Sequence, residues 1–274
     1  MFDEAHVIYR YKYLPFTEGA LKTISEGTIK FTCPLEFNDP FDCLPYYDTS
    51  SINRLPGKRP DLFKAAGKRR GLSPAQRLQK KGEFVARLRN RINDGTFAEE
   101  NLSRVGVVSL SNTALSVLMW SHYAEFHQGF VLEFRIPVMG TKEDLAYATD
   151  RLLPFPVTYQ RDRPVVEVGE FDGERLLHKI LLTKSDLWAY EEEERVISEQ
   201  RPPGIFSYRR DEILCSVIAG MRITECNLEV LTSICNKVKG VAIPDLSLYK
   251  AEPLKDKYAL RVPEHPRLSL GAGI

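Results

Sequence analysis

The order of apolar and polar residues along the chain predicts a succession of short strands and helices. Residues 7–12 alternate as a strand, and the apolar runs VGVVSL (105–110) and FVLEFRI (130–136) predict two more. Between those runs, residues recur at helical spacing, namely Leu115, Leu118, Met119, His122, Tyr123 and Phe126. Strands and helices mixed in this way are typical of an α+β domain with a mixed sheet.

A second helical region is predicted further towards the N-terminus. Ser73 followed by Pro74 is a good helix cap and first turn, and the predicted helix ends near Asn93-Asp94-Gly95. Apolar residues fall on one side of it, namely Leu78, Val85, Leu88 and Ile92. Another apolar stripe predicts a helix at about 174–186. We predict a single domain over residues 1–274, with an inserted basic helical element at residues 48–103.

The composition is that of an ordinary globular protein, with 43% hydrophobic, 10% aromatic and 27% charged residues. The sequence lacks the pattern of a secretory signal, and no apolar run approaches the length of a membrane span, which predicts a cytoplasmic protein without a membrane partner. The cysteines include no CxxC pair, so we expect neither disulfides nor a metal site. They are Cys33, Cys43, Cys215, Cys226 and Cys235.

Positive charge is concentrated in the inserted element. The net charge of the chain is only +1, yet twelve Lys or Arg lie between Lys58 and Arg91 against Asp61 and Glu83. Clustered cations bind nucleic acid by displacing counterions from phosphates, although such a run is also compatible with a merely solvated surface. The candidate nucleic-acid-binding residues are Lys68, Arg69, Arg70, Lys80, Lys81 and Arg87.

Three further features are candidates for chemistry. Arg10 lies inside the first predicted strand, where a guanidinium either pairs with a carboxylate or binds a phosphate. Ser109 and Ser111 lie at the C-terminal end of a strand and near the start of the next helix, where backbone N–H groups and small hydroxyls bind anions. Trp120 and Tyr123 fit either a hydrophobic core or a stacking platform for a ring.

Four consecutive glutamates lie in the stretch LWAYEEEERVI, residues 187–197. In an extended strand, Glu191 and Glu193 face one way, whereas Glu192 and Glu194 face the other. One such pair could project into a cleft, where a carboxylate can hydrogen-bond a ribose hydroxyl, stabilise an oxocarbenium-like transition state or act as a base. A helix would instead spread the four carboxylates around its axis as a solvated charge run.

Four motifs occur in order along most of the chain: YRY (9–11), FNDPFD (37–42), SLSN with MWSHYAEFHQGFVLEF (109–134) and KSDLWAYEEEER (184–195). Together they resemble a widespread bacterial family known as a domain of unknown function. Its pattern is a Tyr-(Arg/Lys)-Tyr start, an Asn-Asp-Pro-Phe turn, a Met-Trp-Ser-His-Tyr-Ala segment and a Lys-x3-Trp-x-Tyr-Glu-x-Glu-x-Arg segment. This resemblance implies membership of the family without implying an activity.

The chain also resembles the Arg-Ser-Glu class of the ADP-ribosyltransferase fold. That class carries an arginine on its first core strand, a Ser-x-Ser strand end and a Glu-x-Glu on a later strand. Arg10, Ser109 with Ser111, and Glu191 with Glu193 occur in this order, although the middle motif reads SLSN rather than Ser-Thr-Ser. The resemblance implies a split mixed sheet with flanking helices, and NAD as a substrate.

The same resemblance implies a role for each candidate. Glu193 would be the catalytic carboxylate, with Glu191 activating the acceptor and Arg195 orienting both. Arg10 would hold the pyrophosphate, and a serine would brace the ribose. The residues implied in binding NAD are Arg10, Tyr11, Ser109, Ser111, Trp120 and Tyr123.

The working hypothesis is an NAD-dependent ADP-ribosyltransferase that modifies a macromolecule, with DNA or RNA as candidate acceptors. Such chemistry would suit a bacterial toxin or phage-defence effector, with an antitoxin or another partner protein. Three alternatives stay open: an NAD glycohydrolase, a metal-dependent nuclease, and a non-catalytic nucleic-acid-binding module in which the charges form ion pairs. The nuclease would use Asp39, Asp42, Glu191 and Glu193.

Overall fold

The computed structural model describes residues 7–138, 148–170, 176, 179–198 and 201–270. The strands are β1 (Val7–Leu14), β2 (Thr28–Phe31), β3 (Tyr46–Asp48), β4 (Gly106–Ser111), β5 (Phe130–Pro137), β6 (Phe155–Pro156), β7 (Thr158–Gln160), β8 (Val165–Glu167), β9 (Thr183–Ser185), β10 (Glu193–Ser198), β11 (Gly204–Ser207), β12 (Leu214–Ala219), β13 (Ser247–Lys250), β14 (Glu252–Pro253) and β15 (Leu260–Arg261). The α-helices are α1 (Glu18–Ser25), α2 (Leu55–Lys58), α3 (Pro60–Arg69), α4 (Pro74–Gln79), α5 (Lys81–Asn93), α6 (Thr96–Leu102), α7 (Val117–Tyr123), α8 (Arg210–Ile213) and α9 (Glu225–Val241). Short 3-10 helices cover Pro34–Glu36, Ile52–Arg54, Val168–Glu170 and Asp186–Glu191.

The chain divides into two compact units. The first unit comprises Met1–Thr32, Gly106–Val157 and Trp188–Ile274. The second comprises Cys33–Val105 and Thr158–Leu187, and it includes the basic element predicted at 48–103.

Seven strands of the first unit form one sheet in the order β13-β12-β5-β1-β4-β10-β6. Neighbouring strands run antiparallel, except that β12 and β13 are parallel. The predicted α+β class, with a mixed sheet and helices, is therefore confirmed.

Each face of this sheet packs against a different layer. Along β5 the apolar residues alternate, so that Phe130, Leu132 and Phe134 face one layer while Val131 faces the other. The first layer includes α1 and α9, which contribute Ile24, Leu231, Cys235 and Val238. The second layer includes α7 and the C-terminal segment, which contribute Met119, Trp120, Val262 and Leu268.

Helix boundaries follow local capping chemistry. The Ser73 side chain accepts a hydrogen bond from the Gln76 N–H, and the Gln76 side chain accepts one from the Ser73 N–H, so the predicted helix start is confirmed. The helix predicted to continue to residue 93 is instead two helices, α4 and α5, separated at Lys80.

Two other helix predictions need correction. The helix after β4 begins at Val117, where the Ser116 side chain accepts from the Met119 N–H, so Ser109 and Ser111 lie well before its first turn. The helix predicted at about 174–186 is helical at residue 176 and at residues 179–181, residues 174, 175, 177 and 178 lie outside the described residues, and its end is a strand, β9.

The second unit has its own small core, which includes Ile52, Val85 and Val168. It contains two parallel strand pairs, β3 with β8 and β7 with β9. Its six candidate nucleic-acid-binding residues are all exposed. Among the described residues of the whole chain, no helix combines the length and the apolar character required to cross a bilayer.

Candidate functional site

Three residues from three sequence motifs lie side by side on the large sheet. Strand β1 pairs with β4 so that Tyr11 lies opposite Ser111, and β4 pairs with β10 so that Ser111 lies opposite Glu193. Residues opposite each other in a sheet project to the same face. Tyr11, Ser111 and Glu193 therefore form a row across three adjacent strands, which we call the central row.

Glu193 is held by the arginine two residues further along the same strand. Arg195 Nε donates to Glu193 Oε1 at 2.9 Å, and Arg195 Nη2 donates to Oε2 at 3.0 Å. The two residues share a face because their separation matches the strand period. Both are buried, with Glu193 6% exposed and Arg195 0% exposed. Arg195 was predicted to orient both Glu191 and Glu193, and the contact described here is the one with Glu193.

Glu191 is not on the strand. It ends a 3-10 helix (Asp186–Glu191), Glu192 has a left-handed φ of 44°, and β10 begins only at Glu193. The prediction of one extended strand through all four glutamates is therefore wrong for Glu191 and Glu192. A residue with positive φ changes the chain direction, so strand alternation does not apply to Glu191.

The carboxylate of Glu191 is nevertheless fixed beside the central row. The Tyr123 hydroxyl donates to Glu191 Oε1 at 2.6 Å. The Ser111 hydroxyl donates to the Glu191 carbonyl oxygen at 2.7 Å, and Ser111 Oγ accepts from the Thr113 N–H at 3.2 Å. Tyr123, Ser111 and Glu191 thus form one hydrogen-bonded group, in which the Ser111 hydroxyl is hydrogen-bonded to the protein backbone.

Arg10 lies on the opposite face of the sheet from Glu193, because its neighbour Tyr11 belongs to the central row. Its guanidinium binds Glu194 in a bidentate pair, with Nε to Oε2 at 2.6 Å and Nη2 to Oε1 at 2.7 Å. This geometry corresponds to the ion-pair interpretation of Arg10. Arg10 and Glu193 therefore do not converge on one face.

Lys12 is a charged residue of β1 that was not among the candidates predicted from the sequence. Its Nζ donates to the Ser109 carbonyl oxygen at 3.0 Å. Burial lowers the pKa of Lys12 to about 8, while the negative charge of Glu193 opposes this shift. Strand alternation was the available signal, since Arg10 and Lys12 are two residues apart and share a face.

Trp120 belongs to the core of the first unit. It is fully buried, and its Nε1 donates to the Ala114 carbonyl oxygen at 2.8 Å. Its ring also meets Tyr13 edge to face, with the centroids 5.5 Å apart. This geometry corresponds to the core interpretation rather than to a stacking platform for a ligand.

A second polar group surrounds Glu133 on β5, and it was not predicted from the sequence. The Glu133 carboxylate accepts from the Tyr11 hydroxyl (3.1 Å), the Ser216 hydroxyl (2.6 Å) and Arg267 Nη2 (2.7 Å), and His265 Nε2 lies 3.1 Å from it. Burial by itself raises the pKa of Glu133, but these hydrogen bonds outweigh that effect and lower it to about 2. The signal was a single acid inside the apolar run FVLEFRI, because a buried carboxylate requires partners.

The aspartates of the FNDPFD turn lie in the second unit, and both are buried. Asp39 Oδ1 accepts from the Phe41 N–H at 2.9 Å, and Lys184 Nζ lies 3.6 Å from Asp42 Oδ2. Within the described ranges, no group of three or more His, Cys, Asp or Glu residues is arranged to hold a metal ion.

Comparisons with models of known protein families, with curated proteins and with solved structures gave no match to this chain.

Proposed function

We propose that the chain is an NAD-dependent ADP-ribosyltransferase whose seven-stranded sheet is a split sheet of the ADP-ribosyltransferase type. The observation that carries the proposal is the central row: the strands bearing the Arg, Ser and Glu motifs are neighbours, although Ser111 is 80 residues from Glu191 and Arg10 is 184 residues from Glu194 along the chain. Tyr11, Ser111 and Glu193 share one face of those strands. The Arg, Ser and Glu motifs thus lie on adjacent strands, while the Arg10 side chain itself projects to the opposite face.

Glu193 is the proposed catalytic carboxylate. During transfer, the bond between the ribose C1′ and the nicotinamide nitrogen breaks, and nicotinamide leaves with the bonding electron pair. The positive charge that develops on the ribose is stabilised by a fixed carboxylate. The bidentate contact with Arg195 holds Glu193 in one orientation.

Glu191 is the proposed general base. The acceptor oxygen or nitrogen forms the new bond to C1′, and its proton passes to the carboxylate. Tyr123 fixes Glu191 through a hydrogen bond of 2.6 Å. We assign Ser111 a positioning role, since its hydroxyl binds the Glu191 backbone.

The exposed basic residues of the second unit suggest a polyanionic acceptor. We therefore propose DNA and RNA, beside protein, as acceptors. The same proposal includes a role in the cytoplasm as a bacterial toxin or phage-defence effector that is inhibited by a partner protein.

The test is to incubate the protein with NAD labelled in the adenine moiety, together with single-stranded DNA, RNA or a protein mixture. Wild type should release nicotinamide and label one acceptor class, and Glu193→Gln should do neither. Release of free ADP-ribose without acceptor labelling would instead identify an NAD glycohydrolase. Neither nicotinamide release nor labelling with any acceptor would overturn the enzymatic proposal.

A non-catalytic nucleic-acid-binding module is the second candidate, and one observation favours it. Arg10 forms a bidentate pair with Glu194, and Arg195 forms a bidentate pair with Glu193. Such pairs can serve structure alone. In that case NAD causes no thermal shift of the protein, whereas a single-stranded oligonucleotide binds with an affinity that falls steeply as salt rises.

A further inference from the structure

The central row continues beyond Tyr11 into the neighbouring strand. Strand β1 pairs with β5 so that Tyr11 lies opposite Glu133, and β5 pairs with β12 so that Glu133 lies opposite Ser216. Residues opposite each other in a sheet project to the same face, so Glu133 lies on the face of Glu193. The Tyr11 hydroxyl donates to Glu133 Oε1 at 3.1 Å. Tyr11 therefore links the central row to the polar group around Glu133.

The two oxygens of the Glu133 carboxylate have different partners. Oε1 accepts from the Tyr11 hydroxyl and also from Arg267, whose Nη2 lies at 2.7 Å and Nε at 3.2 Å. Oε2 accepts from the Ser216 hydroxyl and lies 3.1 Å from His265 Nε2. Burial and the negative charge of Glu133 raise the pKa of Tyr11, so its hydroxyl keeps the proton that it donates. One carboxylate oxygen thus joins Tyr11 to Arg267.

Arg267 reaches Glu133 from the C-terminal segment and is partly open to solvent. Its side chain is 34% exposed, whereas that of Glu133 is 1% exposed. The Arg267 guanidinium also lies over the Tyr9 ring, 3.6 Å from its centroid, in a cation–π contact. The guanidinium is therefore fixed by a carboxylate and by an aromatic ring, although it lies near the surface.

Tyr11 lies where two parts of the sheet meet. Along the described residues of β1, pairing with β5 extends from Val7 to Leu14, whereas pairing with β4 is confined to Tyr11 and Ser111. Cross-strand side-chain neighbours stabilise a sheet where its strands pair. Ser111 in turn donates to the Glu191 carbonyl oxygen. The placement of Tyr11 therefore bears on Ser111 and, through Ser111, on the proposed general base.

We propose that Arg267 is a positioning residue of the transferase site, acting through Glu133 and Tyr11. The inference rests on the proposed function, because the reaction that it serves is the proposed transfer. Arg267 holds Glu133 Oε1, and that oxygen holds the Tyr11 hydroxyl at the junction of β1 with β4. Small displacements of reacting groups slow the chemical step, so Arg267 affects kcat more than the KM for NAD.

The first test is Tyr11→Phe, which removes one hydroxyl and leaves Glu133 its other donors. We expect kcat for nicotinamide release to fall by about 10-fold, the factor for one hydrogen bond of ordinary strength. The KM for NAD should stay within about 2-fold of wild type. Tyr208→Phe is the matched control, because Tyr208 is also buried and its hydroxyl donates to the Thr23 carbonyl oxygen. It should leave kcat unchanged.

The second test is made at the partly exposed end. Arg267→Met should lower kcat as Tyr11→Phe does, and Arg267→Lys should restore part of it, since an ammonium can donate to the same oxygen. The double variant Tyr11→Phe with Arg267→Met should lose no more than the larger single loss, because both act through one oxygen. Arg261→Met is the control, since Arg261 belongs to the same segment and pairs with the largely exposed Glu252.

The kinetic comparison separates positioning from a merely structural role. All variants are measured at a temperature where circular dichroism shows them folded. A merely structural role lowers the melting temperature of Arg267→Met and leaves the kcat of the folded protein at the wild-type value. That result, or a kcat loss in the double variant equal to the product of the two single losses, would overturn the proposal.

Hydrogen exchange at Thr113 tests the same link without turnover. The Thr113 N–H donates to Ser111 Oγ at 3.2 Å, so its protection reports the placement of the Ser111 hydroxyl. Tyr11→Phe and Arg267→Met should each speed this exchange by about 10-fold, and Tyr208→Phe and Arg261→Met should not. If wild type releases no nicotinamide, the proposed function fails, and faster exchange still shows that Arg267 positions Ser111. Unchanged exchange in both variants would overturn the inference whether or not the protein turns over NAD.

Discussion

Glu193 and Glu194 are adjacent in the sequence and engage different arginines on opposite faces of one sheet. Glu193 binds Arg195 on the face of the central row, and Glu194 binds Arg10 on the other. The same bidentate geometry at both positions makes Glu194 a close internal control for Glu193. The two glutamates have the same charge and a comparable partner, and they differ in the face to which they project.

The first prediction compares the two isosteric substitutions Glu193→Gln and Glu194→Gln. If Glu193 stabilises the charge that develops on the ribose, its loss should lower the rate of nicotinamide release by about 100-fold or more. Glu194→Gln should change that rate by less than about 3-fold, because its partner Arg10 projects away from the central row. The measurement is nicotinamide release by chromatography at saturating NAD. Equal losses in both variants would contradict a specific role for Glu193.

The second prediction concerns the stability of the buried Arg195–Glu193 pair. The side chains are 0% and 5% exposed, so Arg195→Met leaves a buried carboxylate without this partner. We expect the free energy of unfolding to fall by about 3–5 kcal/mol. The double variant Arg195→Met with Glu193→Leu removes both charges and should recover much of the loss. Urea denaturation of both single variants and the double variant gives the coupling energy, and simple additivity would contradict the prediction.

The third prediction concerns acid stability. The pKa of Glu133 is about 2 in the folded protein, against an ordinary value of 4.5. The unfolded chain therefore takes up this proton first as the pH falls. The stabilisation is complete above about pH 4.5 and is lost as the pH decreases to about 2, and a shift of this size corresponds to about 3 kcal/mol.

The check is the free energy of unfolding of wild type and Glu133→Gln between pH 7 and pH 2. The difference between the two proteins should shrink over the window from about 4.5 to 2. Glu252→Gln is a suitable control, because the Glu252–Arg261 pair is largely exposed and should contribute little. A difference independent of pH would show that Glu133 acts through its shape rather than its charge.

The fourth prediction concerns the titration of Lys12. Burial disfavours the protonated amine, so its pKa should be near 8 rather than 10.5. The charge of Glu193 raises this pKa, and Glu193→Gln should therefore lower it further. Titration of ¹³Cε-labelled lysines by NMR measures both values. A midpoint near 10.5 in wild type would show that the amine is hydrated in solution.

Local sequence patterns predicted β1 and β4, two of the three strands of the central row, and the neighbouring strand β5. Alternation identified β1, and the apolar runs identified β4 and β5, to within two residues of their observed ends. Two helix predictions failed because local effects that a hydrophobic pattern does not describe set where a helix begins or is interrupted. The helix after β4 begins at Val117 because Ser116 caps it there, and the predicted 73–93 helix is interrupted at Lys80.

The glutamate run shows the same limit within the candidate site. Alternation correctly separates Glu193 with Arg195 from Glu194 once the start of β10 is known. β10 begins after Glu191 because Glu192 has a positive φ. Four identical side chains do not indicate which of them adopts a positive φ. The hydrogen-bond partner of Glu191 could not be predicted from the sequence either, because Tyr123 lies on a helix and is 68 residues away along the chain.

The sequence by itself determined the class of the fold, the strand periods and the choice of residues that can carry charge or donate hydrogen bonds. These follow from side-chain chemistry and from contacts between near neighbours. Only the tertiary structure decided that Tyr11, Ser111 and Glu193 share a row, and that Arg10 faces away from it. The reason is physical: strand order and register are set by pairing between distant segments, and a shift of one residue reverses every face.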